Sequence, residues 1–239
     1  MTLTEIAHRV GMTRRFIYKW AQRFQAHGIE GLSDQPGRGQ RRGTRQQDSQ
    51  HHGTAHQEGD PKEVDVIYYV ATSLDGYIAP ADGTLSWLAP FESAGDDYGY
   101  TAFYQSIDAV LLGRHTFEQA AGFAQWPYPH KPCWVFARRP LSIGQPEVVV
   151  TARRPRAVVA ELAACGVRRA WLVGGGQLAG AFRAQGLITE YIITMIPIVL
   201  GMGIPLFGGA GPPESLHLVA SQSYPNGLVQ LHYRRTQEA

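Results

Sequence analysis

The stretch RAWLVGGGQLAGAF, residues 169–182, decides how this chain is read. Ala170–Val173 within it are the short apolar run of a strand, and after the glycines an apolar pattern opens a helix. Gly174, Gly175 and Gly176 between them let the backbone come close to a ligand. The helix start that follows offers unpaired N–H groups and the positive end of a dipole, so a phosphate or pyrophosphate is the natural occupant. Val173, Gly174, Gly175, Gly176, Gln177 and Leu178 are therefore candidate cofactor-binding residues. The competing reading is a glycine turn with no ligand.

Working outward, the chain from Val64 alternates in texture. VDVIYYVATS, DAVLLG, PCWVFA, EVVVT, RAWLVG, EYIITMIPIVL, LHLVASQSY and GLVQLHYRR read as strands. DYGYTAFYQSI, HTFEQAAGF, PRAVVAELAACG and QLAGAFRAQG read as helices between them. This alternation predicts a layered α/β domain with a mixed, mainly parallel central sheet. The last two strands flank Pro225-Asn226-Gly227, and Asn-Gly tolerates the positive φ angles of a tight turn, so the sheet is expected to end in an antiparallel hairpin. Gly174-x-Gly176-x-x-Ala179 also fits the Rossmann dinucleotide pattern, but the context argues against it. That motif belongs to the first βα turn with an acidic residue ending the next strand, whereas here it comes late and Glu190 precedes the next strand.

Two further segments carry chemistry. In LLGRHTFE (111–118) a strand end again leads into a helix. Gly113 permits close approach, Arg114 supplies a planar cationic fork for a phosphate, and Thr116 is placed to cap the helix and bind an oxygen. A solvated Arg114 with Thr116 as a plain cap is the competing reading. ATSLDGYIA (71–79), followed by Asp82-Gly83 and Ser86-Trp87-Leu88, gives a first strand and a turn-rich loop with a bulky aromatic. Alone, Asp75-Gly76 is an ordinary turn.

Together these segments resemble the dihydrofolate reductase superfamily, in particular the reductase domain of the bifunctional riboflavin-biosynthesis deaminase–reductase and its stand-alone relatives. SLDGYIA (73–79), LLGRHTFE, LVGGGQLAGAF and Pro197-x-x-x-Gly201-x-Gly203-Ile204-Pro205-Leu206-Phe207 carry the resemblance, which covers residues 64–235 in order. It implies a three-layer α/β domain over 63–236 with NADPH as cofactor. Gly113, Arg114, His115 and Thr116 would face the 2′-phosphate and pyrophosphate, and Gly174 to Leu178 would cradle the pyrophosphate from the other strand end. Ala71 and Ile78 would contact the nicotinamide through backbone groups. The substrate would be a small pteridine- or pyrimidine-like heterocycle, with Asp75, Trp87 and Asp97 as its contacts. Asp97, sixteen positions before Gly113, would be the acid. A carboxylate there can bind an N–C–N edge in bidentate fashion and assist protonation. In the competing reading Asp96 and Asp97 only cap a helix. The hydride belongs to the cofactor, so neither a nucleophile nor a metal is required. A homodimer is the family expectation. The zinc-dependent deaminase half has no counterpart, since Cys133 and Cys165 are the only cysteines, and the substrate stays open.

Ahead of this domain the charge shifts. Residues 1–60 hold nine Lys and Arg against six Asp and Glu, in a chain of net charge +2. That asymmetry points to a polyanion-facing front. Thr4–Val10, the turn Gly11-Met12-Thr13 and Arg14–Phe24 have helix–turn–helix spacing, with Arg14, Arg15, Lys19 and Arg23 as candidate DNA contacts. The run W-x-x-R-F-x-x-x-G-x-x-G-L (Trp20 to Leu32) resembles the helix–turn–helix of insertion-sequence transposases. The helix that precedes the pair in that fold has no room after Met1. Residues 1–34 are therefore expected to be an incomplete unit making weak, nonspecific DNA contact. Residues 35–62 hold no Val, Ile, Leu, Phe, Trp or Tyr and predict a disordered basic and polar linker. Its histidines lack partners and the cysteines form no C-x-x-C pair, so no metal site is expected. No signal peptide opens the chain and no apolar run approaches the ~20 residues of a membrane span, which predicts a cytoplasmic protein. The leading expectation is an NADPH-dependent reductase. Its alternatives are a DNA-binding regulator with a reductase-like nucleotide-sensing domain, and a reductase behind a non-functional transposase remnant.

Overall fold

Short apolar runs become strands and the periodic segments become helices over most of the domain. The computed structural model describes residues 63–236 apart from 92–95 and 146. The helix–turn–helix-like segment (1–34) and the linker (35–62) lie outside the described residues. In chain order the elements are β1 (Asp65–Ser73), β2 (Tyr77–Ala79), a 3-10 helix (Ser86–Phe91), α1 (Tyr100–Ser106), β3 (Ala109–Gly113) and α2 (Arg114–Ala121). There follow β4 (Cys133–Phe136), β5 (Val148–Thr151), α3 (Pro155–Ala164), β6 (Arg169–Gly174) and α4 (Gly176–Arg183). The chain closes with β7 (Glu190–Ile196), β8 (Ile204–Pro205), β9 (Leu216–Ser223) and β10 (Val229–Arg235).

Eight strands form one sheet in the order β5-β4-β3-β6-β1-β7-β10-β9. All neighbours are parallel except β10, which runs antiparallel to both β7 and β9. The mixed, mainly parallel sheet with its terminal hairpin is as expected. The turn of that hairpin closes through Gly227 N–H to the Tyr224 carbonyl, with Gly227 at φ 87°.

Side chains of β1 alternate between two cores, as strand geometry requires. Val66 and Tyr68 join Val158 and Leu162 of α3 and Ala179 and Phe182 of α4 on one face. Ile67 joins Phe103 of α1 and Phe117 of α2 on the other, with Tyr69 packed against them. Helices on both faces make three layers.

Three features were not legible as elements. The run EYIITMIPIVL stops pairing at Ile196, because Pro197 has no N–H to give to a ladder. Strands β2 and β8, three and two residues long, pair with each other and form no part of the main sheet. That pairing brings the SLDGYIA and GIPLF segments together, and the Leu206 amide donates to the Gly76 carbonyl at 2.9 Å. The residues around Trp87 form a 3-10 helix.

Candidate active site

The sheet opens at the carboxyl ends of its central strands. Strand β1 pairs with β7 as far as Ser73–Ile196, but with β6 only as far as Tyr68–Leu172. The Asp65 amide points toward β6, donating to the Arg168 carbonyl, and by strand alternation so do those of Ile67, Tyr69 and Ala71. Past Tyr68 those groups lose their ladder partners. The Tyr69 carbonyl takes the Trp171 indole N–H instead, at 3.0 Å, and the Ala71 backbone faces the crevice between β1 and β6. Crevices at the carboxyl ends of strands are where open α/β sheets bind ligands.

The glycine turn forms the other wall, and its three glycines have different causes. Gly174 sits at φ 111°, a conformation that L side chains rarely adopt, and its peptide bond to Gly175 is cis. Gly176 is fixed by packing, since a Cβ there would lie 2.2 Å from the Pro205 carbonyl oxygen of β8. Gly175 has an ordinary φ of −75°, and a Cβ there would meet only Thr116 Oγ1 at 3.7 Å and Ile78 Cδ1 at 3.8 Å. Neither the φ of Gly175 nor any atom beyond its chain neighbours requires glycine there. The same distances show that Ile78, Thr116 and Gly175, drawn from three separate sequence segments, share one wall. Gly113 joins them, because a Cβ there would come within 3.2 Å of the Gly174 carbonyl oxygen. The chain after β1 folds back to supply Ile78, held by Thr72 Oγ1 donating to the Tyr77 carbonyl at 3.2 Å.

The start of α2 departs from expectation. The helix begins at Arg114 with Gly113 as its N-cap and no side-chain cap, so Thr116 lies inside the first turn and does not cap it. Arg114 donates to Glu118 at 2.8 Å, and His115 is almost fully exposed. Between α2 and the segment after β4, Arg114, Glu118, Pro140 and Leu141 border an open cleft of about 410 Å³. Strands β3, β4 and β5 end level with one another, Gly113 beside Phe136 and Phe136 beside Thr151. The tetrapeptide Ala-Arg-Arg-Pro follows twice, at 137–140 and 152–155. Arg138, Arg139, Arg153 and Arg154 are all exposed at this edge, with Arg153 paired to Glu161. That repeat was the visible signal for a basic edge wider than Arg114.

The expected substrate contacts are dispersed. Asp75 holds a loop: its carboxylate accepts from Ser73 Oγ at 2.6 Å, the Leu200 amide at 3.1 Å and the Gly201 amide at 2.7 Å. The Ser73 hydrogen bond, with those of the two amides, holds its carboxyl below the usual aspartate value. Trp87 is buried against Ile196 and Leu228, with Ala71 packed on the same cluster, and its indole N–H is buried without a partner among the described residues. Asp97 is exposed and accepts the Gly99 amide at 3.0 Å and the Thr101 amide at 3.2 Å, so it does cap the start of α1.

Three polar residues that the sequence reading passed over meet on the α1 side of this end of the sheet. Gln230 Nε2 lies 3.1 Å from Thr194 Oγ1, 3.2 Å from the Tyr69 hydroxyl and 3.3 Å from the Tyr98 carbonyl oxygen. The Tyr69 hydroxyl donates to that same carbonyl. Burial pushes the Tyr69 hydroxyl up to about 12, so it stays protonated at neutral pH. Tyr98 reaches this position with a left-handed φ of 52°, a strained conformation for a tyrosine.

A three-layer α/β domain with a strand-end crevice, a glycine-rich turn and an adjoining basic edge defines a fold of the dihydrofolate reductase kind. The model of the RibD C-terminal domain matches residues 64–230, and the chain belongs to that family. A helix–turn–helix domain model matches residues 1–40. The chain is 41% identical over 170 residues to the uncharacterized protein YwjB of Bacillus subtilis (strain 168), covering 71% of this chain and 97% of that protein. A putative riboflavin biosynthesis protein from Shewanella sp. PV-4 superposes with a TM-score of 0.68 at 32% identity, over 73% of this chain and all of the other. A deaminase/5-amino-6-(5-phosphoribosylamino)uracil reductase from Thermotoga maritima shares the fold with a TM-score of 0.56 at 14% identity, over 73% of this chain and 57% of its own. Among the described residues no helix is long and apolar enough to cross a membrane.

Proposed function

We propose that residues 63–236 form an NADPH-dependent reductase of a pteridine- or pyrimidine-like heterocycle. The observation that carries the reading is Gly175, a glycine that neither its φ nor any contact beyond its chain neighbours demands, on the wall shared with Thr116 and Ile78. A backbone kept bare there suits the approach of a pyrophosphate. NADPH, when bound, supplies the hydride.

The chain's own residues then have distinct tasks. Gly174, Gly175, Gly176, Gln177 and Leu178 hold the pyrophosphate at the start of α4, with Gly113 and Thr116 opposite. Arg114 and the exposed Arg138 and Arg139 at the neighbouring strand end bind the 2′-phosphate, and His115 lies at its rim. The unladdered backbone of Ala71, with Ile78 and Val173, positions the nicotinamide end. Trp87, whose buried N–H has no protein partner among the described residues, and Asp97 flank the heterocycle, and Asp97 donates the proton. Asp75 acts one step back, by holding the loop around Leu200 and Gly201.

The experiment is a calorimetric titration of NADPH and NADH into the wild type and Arg114→Ala. Loss of NADPH affinity well beyond that of NADH supports the 2′-phosphate role, and equal loss counts against it. The helix–turn–helix match over 1–40 favours a second reading, a DNA-binding regulator whose domain senses a nucleotide. Saturable NADPH binding without turnover on any pterin or aminouracil supports that reading. We also assign the chain to the cytoplasm and to a homodimer. Strand β9 is an exposed edge along its whole length and carries no Lys, Arg, Asp, Glu or Pro, the residues that usually blunt such edges.

A further inference from the structure

We infer that Gln230 selects the substrate of this reductase: its Oε1 accepts a hydrogen bond from a ring N–H of the heterocycle. The inference rests on the reductase reading of the crevice. The orientation of the Gln230 amide is fixed by chemistry, because the Tyr98 carbonyl 3.3 Å away only accepts and must face the NH2 end. The two amide hydrogens are shared among that carbonyl, the Tyr69 hydroxyl and Thr194 Oγ1, all within 3.3 Å of the same nitrogen. Oε1 is left on the other side. It takes no hydrogen bond from any described residue, and it is not among the buried polar atoms that lack a partner. A side chain clamped through its nitrogen thus offers a rigid, reachable acceptor.

Its place in the sheet gives the acceptor a purpose. Thr194 is level with Ala71 on one side and with Gln230 on the other, so the three stand in one cross-strand row. At about 4.8 Å per strand, Gln230 stands about 10 Å from Ala71, a span that a fused two-ring system bridges with the help of a hydrogen bond at its far edge. Ala71 marks the nicotinamide end of the crevice in the reductase reading. A ring accepting hydride above Ala71 therefore extends toward Gln230, and its far edge meets an acceptor. Heterocycles with a ring N–H at that edge are favoured; those methylated there leave Oε1 unpaired and are rejected, since a site built to take a hydrogen bond discriminates strongly against ligands lacking it. The strained Tyr98 holds the clamp in this orientation, because its carbonyl is the one partner that decides which end of the amide points outward.

The test uses the full chain saturated with NADPH and two two-ring probes, lumazine and 1,3-dimethyllumazine, titrated by calorimetry. The wild type is expected to prefer the free N–H probe by about 10-fold. Gln230→Met, similar in shape but without the acceptor, is expected to bring that ratio below about 2-fold while NADPH affinity holds. Tyr69→Phe disturbs the same network yet leaves Oε1 in place, so it is expected to keep the preference; a role confined to holding the fold would move both variants alike. An unchanged ratio in Gln230→Met, with NADPH bound normally, overturns this inference alone. A wild type that binds no NADPH overturns the reductase reading and this inference with it.

Discussion

Replacing Gly175 and Gly176 by alanine, one at a time, separates a glycine kept for a ligand from one kept for packing. In Gly176→Ala the new methyl would lie 2.2 Å from the Pro205 carbonyl oxygen, well inside the 3.0 Å below which real Cβ contacts are essentially never found. Either the β8 segment or the start of α4 must shift, and overpacking of this kind costs about 1–3 kcal/mol. For a domain of this size that lowers the melting temperature by about 2–12 °C. In Gly175→Ala the methyl meets Thr116 Oγ1 at 3.7 Å and Ile78 Cδ1 at 3.8 Å, ordinary contacts, at a φ of −75° that alanine adopts freely. Stability should move by no more than about 0.5 kcal/mol. The methyl nevertheless occupies the wall assigned to the pyrophosphate, so NADPH affinity should fall about 10-fold or more, equivalent to about 1.4 kcal/mol. Thermal melts followed by circular dichroism and calorimetric NADPH titration read the two effects separately. A Gly175→Ala protein that binds NADPH within 2-fold of the wild type would refute the assignment, as would a Gly176→Ala protein that melts with the wild type for the packing argument.

Other consequences follow from the same structure. Burial pushes the Glu190 carboxyl up, but the Arg234 hydrogen bond and the Arg169 and Arg234 charges outweigh it, so its pKa lies below the usual glutamate value. A group depressed in the folded state adds stability above its unfolded pKa and loses it as pH falls through the folded one. Glu190→Gln should therefore cost about 1–3 kcal/mol at pH 7, the lower end being favoured because the partner arginines can rehydrate. In urea titrations across pH, that gap should begin to narrow below about pH 4.3 and close as pH falls through the depressed folded value. Asp97→Asn keeps a side-chain acceptor for the α1 amides, so its melting temperature should stay near the wild type while turnover at neutral pH falls about 100-fold. Unchanged turnover would reduce Asp97 to a cap. Removing residues 1–62 should leave the melting temperature and NADPH affinity of the domain unaltered while abolishing any retardation of DNA at low salt. A truncated protein that no longer binds NADPH would show that the front segment completes the site.

The architecture was legible because burial leaves a pattern. Val66, Tyr68 and Val70 alternate with Ile67 and Tyr69 between two cores, and such runs announce themselves in sequence as strands. Pairs as short as β2 and β8 leave no period to read, and Pro197 ends β7 inside a run that stays apolar to Leu200. At the site, sequence could mark Gly174, Gly175 and Gly176 as one motif but could not divide their causes, which depend on a φ angle, on Pro205 and on neither. Asp75 looked like a turn residue and a substrate contact, and its hydrogen bonds to Leu200 and Gly201 come from a loop more than 120 residues away. The Gln230 network was invisible for the same reason: Tyr69 and Gln230 are 161 positions apart, and only the order β1-β7-β10 makes them neighbours.

Hydride transfer itself is the most direct test of the account. The purified full chain is mixed with NADPH and, in turn, dihydropterins and ribosylaminouracils, and absorbance at the reduced-nicotinamide band is followed with time. The expected result is loss of absorbance that requires both protein and one of these heterocycles, saturates in each, and is far slower with NADH. Saturable NADPH binding with no oxidation by any of them would contradict it, and would leave the domain a nucleotide sensor.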